Sequence, residues 1–220
     1  MAINDWKDWH RGYDDPGSEL TSRMLAVRAQ VSAVVSACPP GPITVVSICG
    51  GQGLELIGAI EDHARRDDIR GRLIELDVDN ADVARRWARD AALHGLEVVT
   101  GDAARHSSYA GLPPVDLAVV SGLFGHIRVE DQQRAIELVR ALCRPGGSVV
   151  WTFFRRDEGR LESLRRSFAE RSFEEQHFET LPGEEYRFTV ARSLRTGRSE
   201  AMPAQDPVFT FGSSRTGSAP

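Results

Sequence analysis

From Ser18 onward the apolar positions Leu20, Met24, Val27, Val31 and Val34 recur at helical spacing, and Pro39-Pro40-Gly41-Pro42 stops the run. Ile43 to Ile48 then reads as a short buried strand, with glycines immediately after it. Leu54, Ile57 and Ile60 restart a helical period. A second strand is predicted from Arg72 to Leu76, ending at Asp77, and Val83, Ala84, Trp87, Ala88 and Ala91 line one side of the helix that follows. Leu96 to Thr100 and Leu117 to Ser121 read as a third and a fourth strand. Ile136, Val139 and Leu142 mark a helix that ends in Arg144-Pro145-Gly146-Gly147, with a fifth strand from Ser148 to Phe154. Leu161, Leu164 and Phe168 belong to another helix. Phe173 to Phe178 and Tyr186 to Leu194 close the pattern as a hairpin around Pro182-Gly183.

Strands alternating with helices predict a doubly wound α/β fold, a parallel sheet with helices on both faces, and the closing hairpin adds an antiparallel strand. Ahead of it, Trp6, Trp9, His10, Tyr13, Asp14, Asp15 and Pro16 make residues 1–17 too aromatic for a disordered tail. Behind it, residues 196–220 are rich in Gly, Ser, Thr and Pro and read as mostly flexible, apart from Val208-Phe209-Thr210-Phe211, an apolar segment suited to docking. The expected organisation is an N-terminal helical lid over 1–39, the sheet domain over 40–195 and a C-terminal tail over 196–220.

A chain of 220 residues buries enough surface, about 70%, to fold without a disulfide or a metal. Its apolar runs fall far short of the roughly 20 residues of a membrane helix, and its first residues carry neither a basic nor an apolar leader pattern. Both point to a cytoplasmic protein. The net charge of −5 argues against nucleic acid as a partner, because neutralising phosphates takes a basic surface. Of the 27 basic residues only Lys7 is lysine; arginine suits anion recognition, but the excess reads as composition. Cys38, Cys49 and Cys143 have neither an even framework nor metal-ligand spacing, so no metal is expected.

Chemistry concentrates at three consecutive strand ends, where open α/β sheets bind ligands. The first strand runs into Ser47-Ile48-Cys49-Gly50-Gly51-Gln52-Gly53, whose glycines let the backbone turn sharply and approach a ligand. Asp77, at the tip of the second, is placed to accept from both hydroxyls of a ribose. Asp102, in Thr100-Gly101-Asp102-Ala103 after the third, is placed to accept from an exocyclic amine while the Ala103 amide donates to a ring nitrogen. Taken singly, the turn is an ordinary tight turn, and the two aspartates suit helix caps. In order, they outline turn, ribose and base. A dinucleotide fingerprint needs a third small residue, and Leu56 occupies that place.

The turn resembles motif I of class I S-adenosylmethionine-dependent methyltransferases, E/D-x-G-x-G-x-G, with Ser47 at the acidic position and Cys49 at the first glycine. Asp116-Leu117-Ala118-Val119-Val120-Ser121-Gly122 looks like motif IV, and Leu142-Cys143-Arg144-Pro145-Gly146-Gly147 resembles the L-x-P-G-G turn before strand five. The opening Trp9-His10-x-x-Tyr13-Asp14 and the later Phe209-Thr210-Phe211 resemble an actinobacterial subgroup of small-molecule type. The resemblance implies a Rossmann-like domain with a seven-stranded sheet in the order 3-2-1-4-5-7-6, the last strand antiparallel. It also implies S-adenosyl-L-methionine as cofactor and a small-molecule methyl acceptor. It assigns cofactor binding to Cys49, Gly50, Gly51, Gly53, Asp77, Val78, Asp102, Ala103, Ser121 and Gly122. Because Ser47 is not acidic, the contact that orders the cofactor's amino-acid end must come from elsewhere.

Methyl transfer from a sulfonium has a neutral leaving group, so it asks mainly for alignment in a dry pocket; a base is needed only for a protonated nucleophile. By analogy with the family, His126 in the loop after strand four is the candidate base, and His10 and Tyr13 reach the site from an N-terminal lid. Arg155 and Arg156 suit an anionic substrate or a solvated surface, and Phe124 suits packing, a substrate platform, or both. Other readings are a fold relative that uses the cofactor for aminopropyl transfer or cyclisation, and a non-catalytic module.

Overall fold

The computed structural model describes residues 13, 15–154, 158–183, 187–198 and 201–212. Seven strands, β1 (Ile43–Ile48), β2 (Ile69–Glu75), β3 (Leu96–Thr100), β4 (Val115–Val120), β5 (Cys143–Phe154), β6 (Phe173–Thr180) and β7 (Phe188–Arg195), form one sheet in the order β3-β2-β1-β4-β5-β7-β6. β1 pairs parallel with β2 and β4, β2 with β3, and β4 with β5; β7 runs antiparallel to both β5 and β6. This is the order and the antiparallel closing strand that the motif pattern implied. Strand order reverses between β1 and β4, which opens a crevice at their carboxyl ends.

The helices are α1 (Glu19–Ala37), α2 (Ile57–Ile60), α3 (Val78–Asp90), α4 (Gln132–Leu142) and α5 (Glu158–Glu170). Side chains alternate across each strand, so neighbouring residues of β1 enter different cores. Val45 packs with α1, α2 and α3 through Val27, Val31, Ile57, Ile60 and Ala84. Val46 and Ile48 pack with α4 and α5 through Ile136, Val139, Leu161, Leu164 and Phe168. In that second core the Trp151 and Phe168 rings stack at 4.8 Å, with Phe124 edge-on to both. Phe124 is therefore a packing residue.

α1 starts at Ser18, whose Oγ accepts the Thr21 N–H at 3.0 Å, with Glu19 in the first turn beside the positive end of the helix. It ends ahead of Pro39-Pro40, which cannot continue the helical hydrogen bonds. Val27, Val31 and Val35 are completely buried, each contributing about 1.5–3 kcal/mol. The helical part of the expected lid is thus a layer of the sandwich, packed against β4, β5 and β7.

Several boundaries differ from the pattern reading. β2 starts at Ile69 and ends at Glu75, because Gly71 continues the strand between two arginines. A Cβ at Gly71 would lie 1.9 Å from the Val45 carbonyl oxygen, so β1 and β2 approach this closely only over a glycine. β5 starts at Cys143, ahead of Ser148, and the helix after the glycine-rich turn is only the single turn of α2.

Candidate functional site

At the crevice the chain leaves β1 through Cys49-Gly50-Gly51-Gln52-Gly53. The Gly50 N–H donates to the Ile74 carbonyl at 2.9 Å, tying the turn to β2, and a Cβ at Gly50 would lie 2.5 Å from Leu73 Cγ. Gly51 and Gly53 sit at φ +55° and +87°, the left-handed region. Cys49 adopts φ +55° as well, at a cost of roughly 1–2 kcal/mol for a residue with a Cβ. Burial pushes its thiol pKa up, and the Glu75 and Asp102 carboxylates push it the same way, so the thiol stays protonated.

Glu75, the last residue of β2, was not singled out in the sequence. Its Oε2 accepts the Gly51 N–H and its Oε1 the Asp77 N–H, both at 2.8 Å, so one carboxylate clasps the turn to the strand tip. Asp77 is the N-cap of α3: its Oδ1 accepts the Asn80 N–H at 2.9 Å. Flanking it, Leu76 and Val78 expose 64% and 58% of their surface, large apolar side chains at the crevice mouth.

After β3, Asp102 Oδ1 accepts the Ala104 N–H at 2.9 Å, while the Asp102 carbonyl accepts from Ser108 Oγ at 2.7 Å. The Tyr109 hydroxyl donates to the Ala103 carbonyl at 2.6 Å. Burial, then the nearby Cys49 and Asp102, raise the Tyr109 pKa, which keeps that hydroxyl a donor. This loop is therefore held before any ligand arrives.

Beyond β4, the Gly122 N–H donates to Thr152 Oγ1 at 2.8 Å and Ser121 Oγ donates to Glu55 Oε1 at 3.1 Å. Glu55 also meets Arg23 of α1, whose Nη2 lies 2.9 Å from the same Oε1, in a pair with side chains only 12% and 5% exposed. The Arg23 guanidinium also binds the Tyr13 hydroxyl and lies over the Tyr13 and Phe188 rings. His126 is mostly buried in the same region; burial first, then the Arg23 charge, lowers its pKa, so the imidazole is neutral at pH 7. Tyr13 thus joins the Arg23 cluster, and His126 lies within the field of the same charge. His10, Arg155 and Arg156 lie outside the described residues.

A C-terminal segment fastens two of these loops. The Val208 N–H donates to the Ala104 carbonyl at 2.8 Å and the Gly212 N–H to the His126 carbonyl at 2.8 Å. Thr210 N donates to Asp131 Oδ2 at 2.7 Å, and Phe211 bridges Ile127. Val208 and Phe209 are buried, so this part of the expected tail is a docked strap.

Arg23, Glu55 and Glu75 escaped sequence reasoning, since Arg23 and Glu55 meet only through the fold. Glu75 had a usable signal, as an acid on the last residue of a strand. Among the described residues no group of His, Cys, Asp and Glu could hold a metal ion, and no helix is long and apolar enough to cross a membrane.

No protein-family model matches the chain, and no curated protein matches it. Solved structures do. Magnesium protoporphyrin IX methyltransferase from Synechocystis PCC 6803 with bound SAM aligns at TM-score 0.66 and 14% identity, over 88% of this chain and 92% of that one. Precorrin-6y C5,15-methyltransferase from Geobacter metallireducens GS-15 aligns at TM-score 0.58 and 13% identity, over 78% of this chain and 88% of that one. An rRNA methylase from Streptococcus thermophilus aligns at 0.59 and 10%, over 76% and 95%. These likenesses establish the fold of S-adenosylmethionine-dependent methyltransferases.

Proposed function

We propose that this chain is an S-adenosyl-L-methionine-dependent methyltransferase acting on a small molecule by in-line transfer. The observation that carries the reading is the carboxylate of Glu75, held by the N–H groups of Gly51 and Asp77 at the tip of β2, beside a turn with no room for a side chain at Gly50 or Gly53. A carboxylate fixed at that tip is oriented for the two hydroxyls of a ribose. In this reading Glu75 takes the role first expected of Asp77: each of its oxygens accepts one backbone N–H and keeps a second lone pair for a ribose hydroxyl, while Asp77 caps α3.

The residues present fit the cofactor. Cys49, Gly50, Gly51 and Gly53 supply backbone approach, Leu76 and Val78 offer exposed apolar surface to a flat base, and Asp102 with Ala103 meets its edge. Ser121 and Gly122 border the end opposite the base. When bound, S-adenosylmethionine supplies an electrophilic methyl group on a sulfonium. The chain then has to orient the acceptor and exclude water. His126, neutral through burial and the neighbouring Arg23 charge, takes the proton from an acceptor hydroxyl or amine. The net charge of −5 supports a small acceptor over nucleic acid, as does the partly apolar mouth.

Isothermal titration calorimetry with S-adenosylhomocysteine tests the reading. Binding to the wild-type chain, weakened at least about tenfold by Glu75→Gln, is the expected result. No binding to the wild type overturns it.

A further inference from the structure

Ser47 stands where the resembled motif carries an acid, and it is buried at the end of β1. The carboxylate nearest in function comes from Glu55, just past Gly53, brought against Ser121 at the end of β4. Its partner Arg23 comes from α1, on the opposite side of the turn in sequence.

The bonding of this pair is incomplete in a definite way. Both the Arg23 Nη2 and the Ser121 Oγ contacts fall on Glu55 Oε1, and among the described residues Oε2 has no hydrogen-bond partner. Arg23 is only 4% exposed, yet its Nε is buried with no hydrogen-bond partner among the described residues. Buried polar groups of native proteins are nearly always paired, so an under-bonded guanidinium beside an under-used carboxylate is suited to a ligand that reaches its open edge. The guanidinium also borders the ligand crevice: its Nη1 would lie 3.8 Å from a Cβ at Gly122, which sits at φ +76° directly after Ser121.

One acceptor edge and one donor edge side by side match a zwitterion. A lone anion meets the Glu55 charge and a lone cation meets Arg23, whereas an α-amino acid presents an ammonium to one and a carboxylate to the other. We propose that Glu55 and Arg23 form the clamp for the cofactor's amino-acid end, Glu55 accepting from the α-ammonium and Arg23 donating through Nη1, the nitrogen that faces Gly122, to the α-carboxylate. The clamp replaces the acid absent at Ser47. It rests on the S-adenosylmethionine reading above, and Tyr13 and Phe188 act in it as positioning residues that hold the guanidinium.

The test is calorimetry with two ligands that share a nucleoside and a sulfur: S-adenosylhomocysteine, which carries the amino acid, and 5′-methylthioadenosine, which lacks it. The wild-type chain is expected to bind S-adenosylhomocysteine at least about tenfold more tightly. Glu55→Gln, of nearly equal volume, is expected to weaken S-adenosylhomocysteine about tenfold while moving methylthioadenosine less than about twofold, with Arg23→Lys intermediate. Glu75→Gln is expected to weaken both ligands alike. Wild-type binding of both ligands with equal affinity, or an equal loss of both in Glu55→Gln, overturns the clamp and leaves the cofactor reading standing. Wild-type binding of neither overturns both. The wild-type comparison needs no variant, so equal affinities overturn the clamp even where a substitution fails to fold.

Discussion

The carboxylate of Glu75 accepts the Gly51 N–H at 2.8 Å, so the tip of β2 holds the turn that leaves β1. The same group takes the Asp77 N–H, so the turn and the start of α3 meet on one side chain. Truncation in Glu75→Ala leaves both N–H groups without their acceptor, and each such loss costs about 0.5–1.5 kcal/mol where water can enter. Urea unfolding is expected to record a loss of about 1–2 kcal/mol for Glu75→Ala and less for Glu75→Gln, which keeps one acceptor oxygen. Equal midpoints for wild type and Glu75→Ala would show that the clasp does not hold the turn.

Asp77 separates cap from ligand contact. Its Oδ1 accepts the Asn80 N–H, and loss of an N-cap costs about 1 kcal/mol. Asp77→Ala is expected to lower stability by that amount, and Asp77→Asn, an equally good cap, to leave it within about 0.5 kcal/mol. S-adenosylhomocysteine affinity is expected to stay near wild type in Asp77→Asn while falling in Glu75→Gln. The reverse order in calorimetry would return the ribose contact to Asp77.

The sheet was legible because β1, β3 and β4 are short runs rich in Ile, Val and Leu between turn residues, and the hairpin around Pro182-Gly183 announced the antiparallel end. β2 was harder to delimit: Arg70, Gly71 and Arg72 break its apolar run, although Gly71 belongs in the strand because β1 leaves no room for a side chain. The pattern places the end of β2 at Leu76, one residue beyond Glu75, so Asp77 stood out at the strand tip and Glu75 did not. The Arg23–Glu55 pair was illegible for a different reason. Arg23 lies among the apolar positions of α1, and no local period marks a residue whose partner sits 32 positions away. The strap was half legible: Val208 to Phe211 stood out as apolar, but its acceptors, Ala104, Asp131 and His126, are contributed by two distant loops.

His126 sets a pH dependence. Its folded pKa lies below the ordinary 6.5, because burial and the Arg23 charge both oppose the imidazolium. Below about pH 6.5 the unfolded chain takes up this proton before the folded one does. The stability contribution is therefore complete above that pH and is lost as the pH falls through the folded value. Imidazole chemical shifts followed by NMR are expected to titrate below 6.5 in the wild type and to move upward in Arg23→Gln, which removes the repelling charge. A titration at or above 6.5 in the wild type contradicts the neutral-base assignment.

The docked strap makes the C-terminal segment part of the site's support. Phe209 is 2% exposed and Val208 is completely buried, whereas Phe211 is 42% exposed. Phe209→Ala is expected to cost about 3–5 kcal/mol, as for a large side chain removed from a core, and Phe211→Ala about 0.5 kcal/mol. The strap binds the Ala104 carbonyl at one end and the His126 carbonyl at the other, so its release frees both the loop after β3 and the loop after β4. Amide hydrogen exchange in Phe209→Ala is expected to speed up at Val208, Thr210 and Gly212, the three donors that hold the strap. Affinity for methylthioadenosine is expected to fall with it, because Ala104 holds the Asp102 carboxylate. Unchanged exchange at those three amides, together with an unchanged unfolding midpoint, would mean that the segment contributes nothing to the fold of either loop.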